Sequence, residues 1–134
     1  MGGTNVVTDE TGELVQLIDY YPFGDVRLNE QLTDYNEQNK FTGHELDQTG
    51  LYYANARYYD PKVKWFVSVD PVVLNIGTGY LHENYDKELT TYLQEPQNLN
   101  SYSYVTNNPL MYIDPNGELK VKDKGASDEE KQKL

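Results

Sequence analysis

The sequence contains no cysteine, so neither a disulfide nor a thiolate nucleophile or metal ligand is available to it. Positive charge is scarce: 11 Lys and Arg stand against 22 Asp and Glu, for a formal net charge of −11. A surface of that sign repels phosphate backbones and anionic lipid, which argues against a nucleic-acid or membrane partner. No apolar run approaches the length of a membrane-spanning helix, and Met1-Gly2-Gly3 does not open a signal peptide. If the protein is exported, the chain is therefore expected to be a piece of something longer, or residues 1–3 an added leader. Aliphatic residues are also few. The apolar share is 37%, low for 134 residues that can form at most one domain with a modest core.

Tyrosine is what the sequence has instead, 13 of them within a 13% aromatic content. Tyr buries a large ring and retains a hydroxyl that needs a partner, so these residues suit a thin, hydrogen-bonded sheet. Their densest stretch is Gly50-Leu51-Tyr52-Tyr53-Ala54-Asn55-Ala56-Arg57-Tyr58-Tyr59-Asp60-Pro61. With a period of two, Leu51, Tyr53, Asn55, Arg57 and Tyr59 fall on one face and Tyr52, Ala54, Ala56 and Tyr58 on the other. The alternation predicts one central antiparallel strand, ended by Pro61, which fixes φ and donates no amide to a ladder.

One turn pattern recurs. Asp9-Glu10-Thr11-Gly12, Asp47-Gln48-Thr49-Gly50 and Asp114-Pro115-Asn116-Gly117 all read Asp-x-x-Gly. Asp at the first position accepts from amides inside the turn, and Gly at the last takes positive φ. Three such turns in so short a chain predict a mainly β fold: an antiparallel hairpin meander with one or two short helices. Val6-Val7-Thr8 should pair with residues 13–19, and Tyr20 to Gly24 form an aromatic turn. Residues 29–39 read as a loop, Lys40 to Glu45 as a short strand, and Trp65 to Val69 as another ended by Asp70-Pro71. Leu81, Tyr85, Leu89, Tyr92 and Leu93 have helical spacing, which predicts a helix near residues 83–93. Ser101 to Val105 fits a strand or one helical turn, and Met111 to Ile113 with Leu119 to Val121 a last hairpin. From Lys122 the composition is that of an unstructured charged tail.

Candidate chemistry rests on acids. Asp60, Asp70 and Asp114 each precede a proline, and Arg57 is placed to orient or neutralise one of them. Two carboxylates sharing a proton would suffice for acid–base hydrolysis. Turn capping explains the same three Asp-Pro pairs. His44-Glu45 with Asp47, and His82-Glu83 with Asp86, are metal-compatible side chains without a metal-site spacing, and an exposed His is the expected alternative. The 114–117 turn lacks the later ligands of a calcium loop, and Ser68 has no nearby His. No cofactor and no metal are implied.

Tyr21-Pro22-Phe23-Gly24-Asp25-Val26-Arg27, Phe41-Thr42-Gly43-His44-Glu45 and Thr49 to Pro61 resemble, in this order, the core domain associated with Rhs (YD-repeat) proteins. Ser68-Val69-Asp70-Pro71, Tyr102 to Val105 with Asn107-Asn108-Pro109, and Asp114 to Gly117 continue the resemblance, which covers about residues 20–118. It implies three segments: a YD-repeat-like hairpin at 1–19, the core domain at 20–118, and the start of a variable region at 119–134. It further implies a secreted or cell-surface location within a larger protein, where hairpin arrays form a shell around a C-terminal effector, often a toxin. The core domain would close that shell and partner both shell and effector.

Some such proteins cut themselves just after the Asp-Pro-x-Gly motif as aspartyl autoproteases. By resemblance, Asp60, Asp70, Asp114 and Arg57 would serve as catalytic groups and Gly117, Glu118 and Leu119 as the cleavage region. This sequence departs at two places: Glu118 stands where Leu usually follows the Gly, and Lys64 replaces the usual Gly after Asp-Pro. A carboxylate at 118 would repel the catalytic pair. A free-standing Tyr-rich module that binds carbohydrate, or pairs with its own copies through open sheet edges, is the remaining alternative.

Overall fold

The computed structural model describes residues 3–122, so the expected tail lies outside the described residues from 123 onward. Three antiparallel sheets follow one another along the chain. The first contains β1 (Val6–Thr8), β2 (Leu14–Tyr20) and β3 (Val26–Gln31), in that order. The second contains β4 (Glu45–Leu46), β5 (Tyr52–Tyr53), β6 (Tyr58–Asp60) and β7 (Trp65–Phe66). A final hairpin pairs β8 (Tyr112–Ile113) with β9 (Val121–Lys122). Between the last two sheets lie α1 (Pro71–Leu74), α2 (Tyr80–Tyr85), α3 (Leu89–Leu93) and two short 3₁₀ turns. The fold is the mainly β, antiparallel hairpin arrangement that the turn pattern implies, with three short α-helices.

All three Asp-x-x-Gly segments make one kind of turn. Asp9 Oδ1 accepts from Thr11 and Glu13 amides at 2.8 and 3.0 Å. Asp47 Oδ1 does the same for Thr49 and Leu51 at 2.8 and 3.1 Å. Asp114 Oδ1 accepts from Asn116, Gly117 and Glu118. The closing glycines all take positive φ, a region that costs an L-residue a Cβ clash.

The Tyr stretch corrects the single-strand expectation. It is a hairpin, with Tyr52 opposite Tyr59 and Tyr53 opposite Tyr58. Asn55 takes φ of 66°, and the Ala54 amide donates to the Arg57 carbonyl at 2.9 Å. Asn tolerates the left-handed region better than other non-glycine residues, and the flanking alanines leave room for the bend. Reversal puts Tyr52, Ala54, Arg57 and Tyr59 inside and leaves Tyr53 and Tyr58 exposed, their rings 5.2 Å apart.

Other segments differ from expectation for equally local reasons. Residues 40–44 form a turn rather than a strand, since Thr42 and Gly43 both take positive φ and Lys40 N donates to His44 O at 2.9 Å. β3 runs to Gln31, into the expected loop, because pairing with β2 outweighs its polar composition. The expected helix at 83–93 is two helices, parted at Asp86, whose φ is 50°. α1 had no counterpart in the sequence reading: Asp70 caps it by accepting from Val72 N at 2.8 Å, and Pro71 fits its first turn. Ser101 to Val105 forms turns rather than a full strand, with one bridge from Ser103 to Trp65 and a 3₁₀ turn from Val105.

The main core gathers Ile18, Tyr20, Phe41, Tyr52, Ala54, Tyr59, Phe66, Tyr104 and Val105. Tyr59 stacks on Tyr104 at 4.4 Å between centroids and meets Phe66 at 5.5 Å. Such pairs add about 0.5–1.5 kcal/mol each beyond area burial. Hydroxyls at the rim find carbonyls: Tyr52 donates to Gly24 O at 2.8 Å, Tyr59 to Phe23 O at 2.6 Å, and Tyr20 to Thr4 O at 2.7 Å. A second, smaller cluster of Val72, Leu81 and Tyr92 lies under the helices, with Leu119 packed against it.

Candidate functional site

Arg57 leaves the hairpin bend pointing inward, and its side chain is almost wholly buried. Its guanidinium carbon sits 3.6 Å above the Phe66 ring. Nη2 lies 3.5 Å from Asp70 Oδ2 and 3.7 Å from Asp114 Oδ2, so one nitrogen faces both carboxylates. Nη1 donates to Ser101 O at 3.0 Å, and Nε donates to Gly117 O at 2.5 Å. Asp70 reaches the cluster from the cap of α1, and Asp114 from the last turn.

That last turn is packed tightly against the Tyr hairpin. Ala56 N donates to Asn116 O at 3.0 Å, and a Cβ placed on Gly117 would meet Ala54 O at 2.6 Å and Arg57 N at 3.0 Å. Gly is therefore required at 117 by both φ and space. His44 is buried, contrary to the exposed position expected of it, and its Nε2 lies 2.8 Å from Asp114 O; a carbonyl only accepts, so this nitrogen carries the proton.

Burial pushes Asp70 up to about 6, against the opposing pull of Arg57 and the Val72 amide. Burial likewise pushes Asp114 up, opposed by Arg57 and the turn amides. Arg57 is pushed down by burial and held up by Asp70, Asp114 and then Glu118. Burial thus favours the neutral form of both acids, and the one guanidinium they face opposes it at each. Beside them is a cavity of about 40 Å³, lined among others by Arg57, Asp70, Asp114 and Glu118. It is large enough for a water molecule.

Asp60 does not join this cluster. Its carboxylate accepts from Lys62 N at 2.9 Å and its carbonyl from Lys64 N at 2.8 Å, closing the bend before β7. Lys64 takes φ of 65° there. The cleavage region is partly anchored: Gly117 O is on Arg57, Glu118 N donates to Asp114 Oδ1 at 3.1 Å, and Leu119 packs on the second core. The Glu118 carboxylate accepts from the Tyr80 hydroxyl at 3.0 Å and from the Tyr85 hydroxyl. Phe66, Ser101, His44, Tyr80 and Tyr85 were not singled out for this site by the sequence; only the side chains of Asp70, Asp114 and Arg57 carry a local signal. His82 is exposed and within 3.6 Å of Glu88. Among the described residues no group of three or more His, Cys, Asp or Glu is placed to hold a metal, and no helix is long and apolar enough to cross a membrane.

These features define a class: a small antiparallel hairpin domain that closes its own last turn over a buried Arg–Asp–Asp cluster. No family profile matches the chain. It is 30% identical over 118 residues to the tRNA nuclease WapA of Bacillus subtilis (strain 168), which covers 87% of this chain and 4% of WapA. It is 30% identical over 120 residues to toxin subunit YenC1 of Yersinia entomophaga, covering 87% and 10%. Among solved structures, the TcdB2-TccC3-Cdc42 complex superposes with a TM-score of 0.64 at 30% identity, over 87% of this chain and 5% of the other. The chain thus spans a tenth or less of the length of these relatives. It belongs to the Rhs (YD-repeat) family and is an Rhs repeat-associated domain.

Proposed function

We propose that this domain closes the β-shell of an Rhs-type toxin and separates the shell from a C-terminal effector, in a secreted or cell-surface protein. In that assignment residues 1–19 end a repeat, 20–118 form the plug, and the variable region starts at 119. The observation that carries the reading is the anchored exit. Gly117 and Asn116 are bound by the 54–57 bend, and Leu119 packs, half-buried, against the cluster under the helices, so a following segment leaves from a fixed point. In the full-length protein, deleting residues 20–118 should expose the effector to limited proteolysis. An effector that stays equally protected would overturn the proposal.

A second reading, self-hydrolysis after Gly117, is favoured by the pair of raised acids beside a water-sized cavity. Ionised Asp70 takes a proton from water as its oxygen bonds to the Gly117 carbonyl carbon. The developing negative charge falls on the oxygen that already accepts from Arg57 Nε. Protonated Asp114, next to Glu118 N, delivers its proton as the C–N bond breaks and regains one from the new Gly117 carboxyl, leaving a Gly117 carboxylate and a Glu118 amine. Intact mass of a chain extended beyond Leu134 tests this. Cutting that is lost in Asp70→Asn supports it; cutting that persists in Asp70→Asn removes it.

A further inference from the structure

We propose that the Tyr80 and Tyr85 hydroxyls form a clasp for the Glu118 carboxylate that holds the bond after Gly117 uncut. This rests on the self-hydrolysis reading. Both Glu118 oxygens take part: Tyr80 donates to them at 3.0 and 3.1 Å, and Tyr85 donates to one of the two. The Tyr85 hydroxyl also accepts from Asn116 Nδ2 at 2.9 Å, which ties the clasp to the turn itself. The amide of residue 118 is held as well, by Asp114 Oδ1 at 3.1 Å and Asn116 Oδ1 at 3.2 Å. Side chain and backbone of the leaving residue are therefore fixed from two directions.

Hydrolysis requires the nitrogen of residue 118 to become tetrahedral, take a proton and withdraw. A residue pinned by its side chain resists that motion. The clasp is matched to a carboxylate: two phenols aimed at two oxygens leave an apolar side chain with nothing to accept. Glu118 also lines the same cavity as Asp70 and Arg57. Its charge competes for the cation that would stabilise the oxyanion. Anchoring and charge thus work in the same direction, and two sets of substitutions separate them. Tyr80→Phe with Tyr85→Phe opens the clasp and keeps the charge. Glu118→Gln removes the charge and keeps an oxygen for the phenols.

The test follows intact mass over time for the chain extended beyond Leu134 by a folded reporter, between about pH 5 and 7, with far-UV circular dichroism on every variant. Glu118→Leu and the Tyr80→Phe/Tyr85→Phe pair should each be cut at least ~10-fold faster than the unaltered chain, a barrier lower by about 1.4 kcal/mol. Glu118→Gln should fall between, and Asp70→Asn should abolish cutting in all. If the unaltered chain is cut as fast as Glu118→Leu, or if the double Phe variant matches the unaltered chain, the clasp is refuted while self-hydrolysis stands. If no folded variant is cut, or cutting survives Asp70→Asn, both are refuted.

Discussion

Raising the pH through the weakly acidic range should destabilise this domain, and Asp70 should be a main reason. Its carboxyl ordinarily titrates at 3.8 and in the fold is pushed up to about 6 by burial. Between those values the folded chain holds a proton that the unfolded chain has released, so stability falls as pH climbs through the window. A shift of about two units, at 1.36 kcal/mol per unit, is worth about 3 kcal/mol. Asn at this position keeps an oxygen for the Val72 amide and cannot ionise. Asp70→Asn should therefore match the unaltered chain near pH ~3, exceed it by about 1 kcal/mol near pH ~4.5 and by about 3 kcal/mol near pH ~7.5. Asp9, Asp19, Asp47 and Glu37 are held below their ordinary range by hydrogen bonds, and their stabilisation is lost only as pH falls further. They are common to both proteins and largely cancel in the difference, whereas Asp114 faces the same guanidinium as Asp70, so its titration moves with the substitution and adds to the gap. Urea unfolding at fixed ionic strength reads the gap as a midpoint shift of about 1–2 M. Parallel curves for the two proteins, or a gap that closes as pH rises, would refute the claim that burial outweighs Arg57 at Asp70.

Gly117→Ala should cost about 2–5 kcal/mol in chemical unfolding, since its Cβ would strike Ala54 O in addition to the strain of positive φ. Gly12→Ala, with positive φ and open space around it, should cost only about 1–2 kcal/mol by the same measurement. Lys64→Gly should stabilise by about 0.5 kcal/mol and raise Tm by about 2 °C, because relief at φ 65° exceeds the loss of the 5.3 Å contact with Phe23 and the added chain entropy. Tyr52→Phe should cost about 1–2 kcal/mol, as the buried Gly24 carbonyl loses its donor.

The three Asp-x-x-Gly bends were legible because their chemistry is local: one carboxylate, its own amides and one glycine suffice. The Tyr hairpin was not, since alternation persists across a tight reversal and only Asn55 betrays it. That miss also misplaced Arg57, which period two put on the same face as Tyr53 and which the fold puts inside with Tyr52. Asp60, Asp70 and Asp114 look alike in sequence, each before a proline. What separates them is tertiary: Asp60 closes its own bend, whereas the other two are brought over one guanidinium by elements far apart along the chain. The phenols that meet Glu118 carry no local mark. Tyr85 reads as an apolar-face residue of a helix and Tyr80 was not singled out at all, and their hydroxyl partner lies more than thirty residues downstream.

The turn at residues 114–117 spends its strongest bonds on groups that precede it: Arg57, Ala56 and His44. The turn is thereby held by the part of the chain that precedes it, and residues 118–122 add their own contacts to the helices and to β8. On the plug role proposed above, cargo of unrelated sequence joined beyond residue 122 would then call for no compensating change in the tyrosine core.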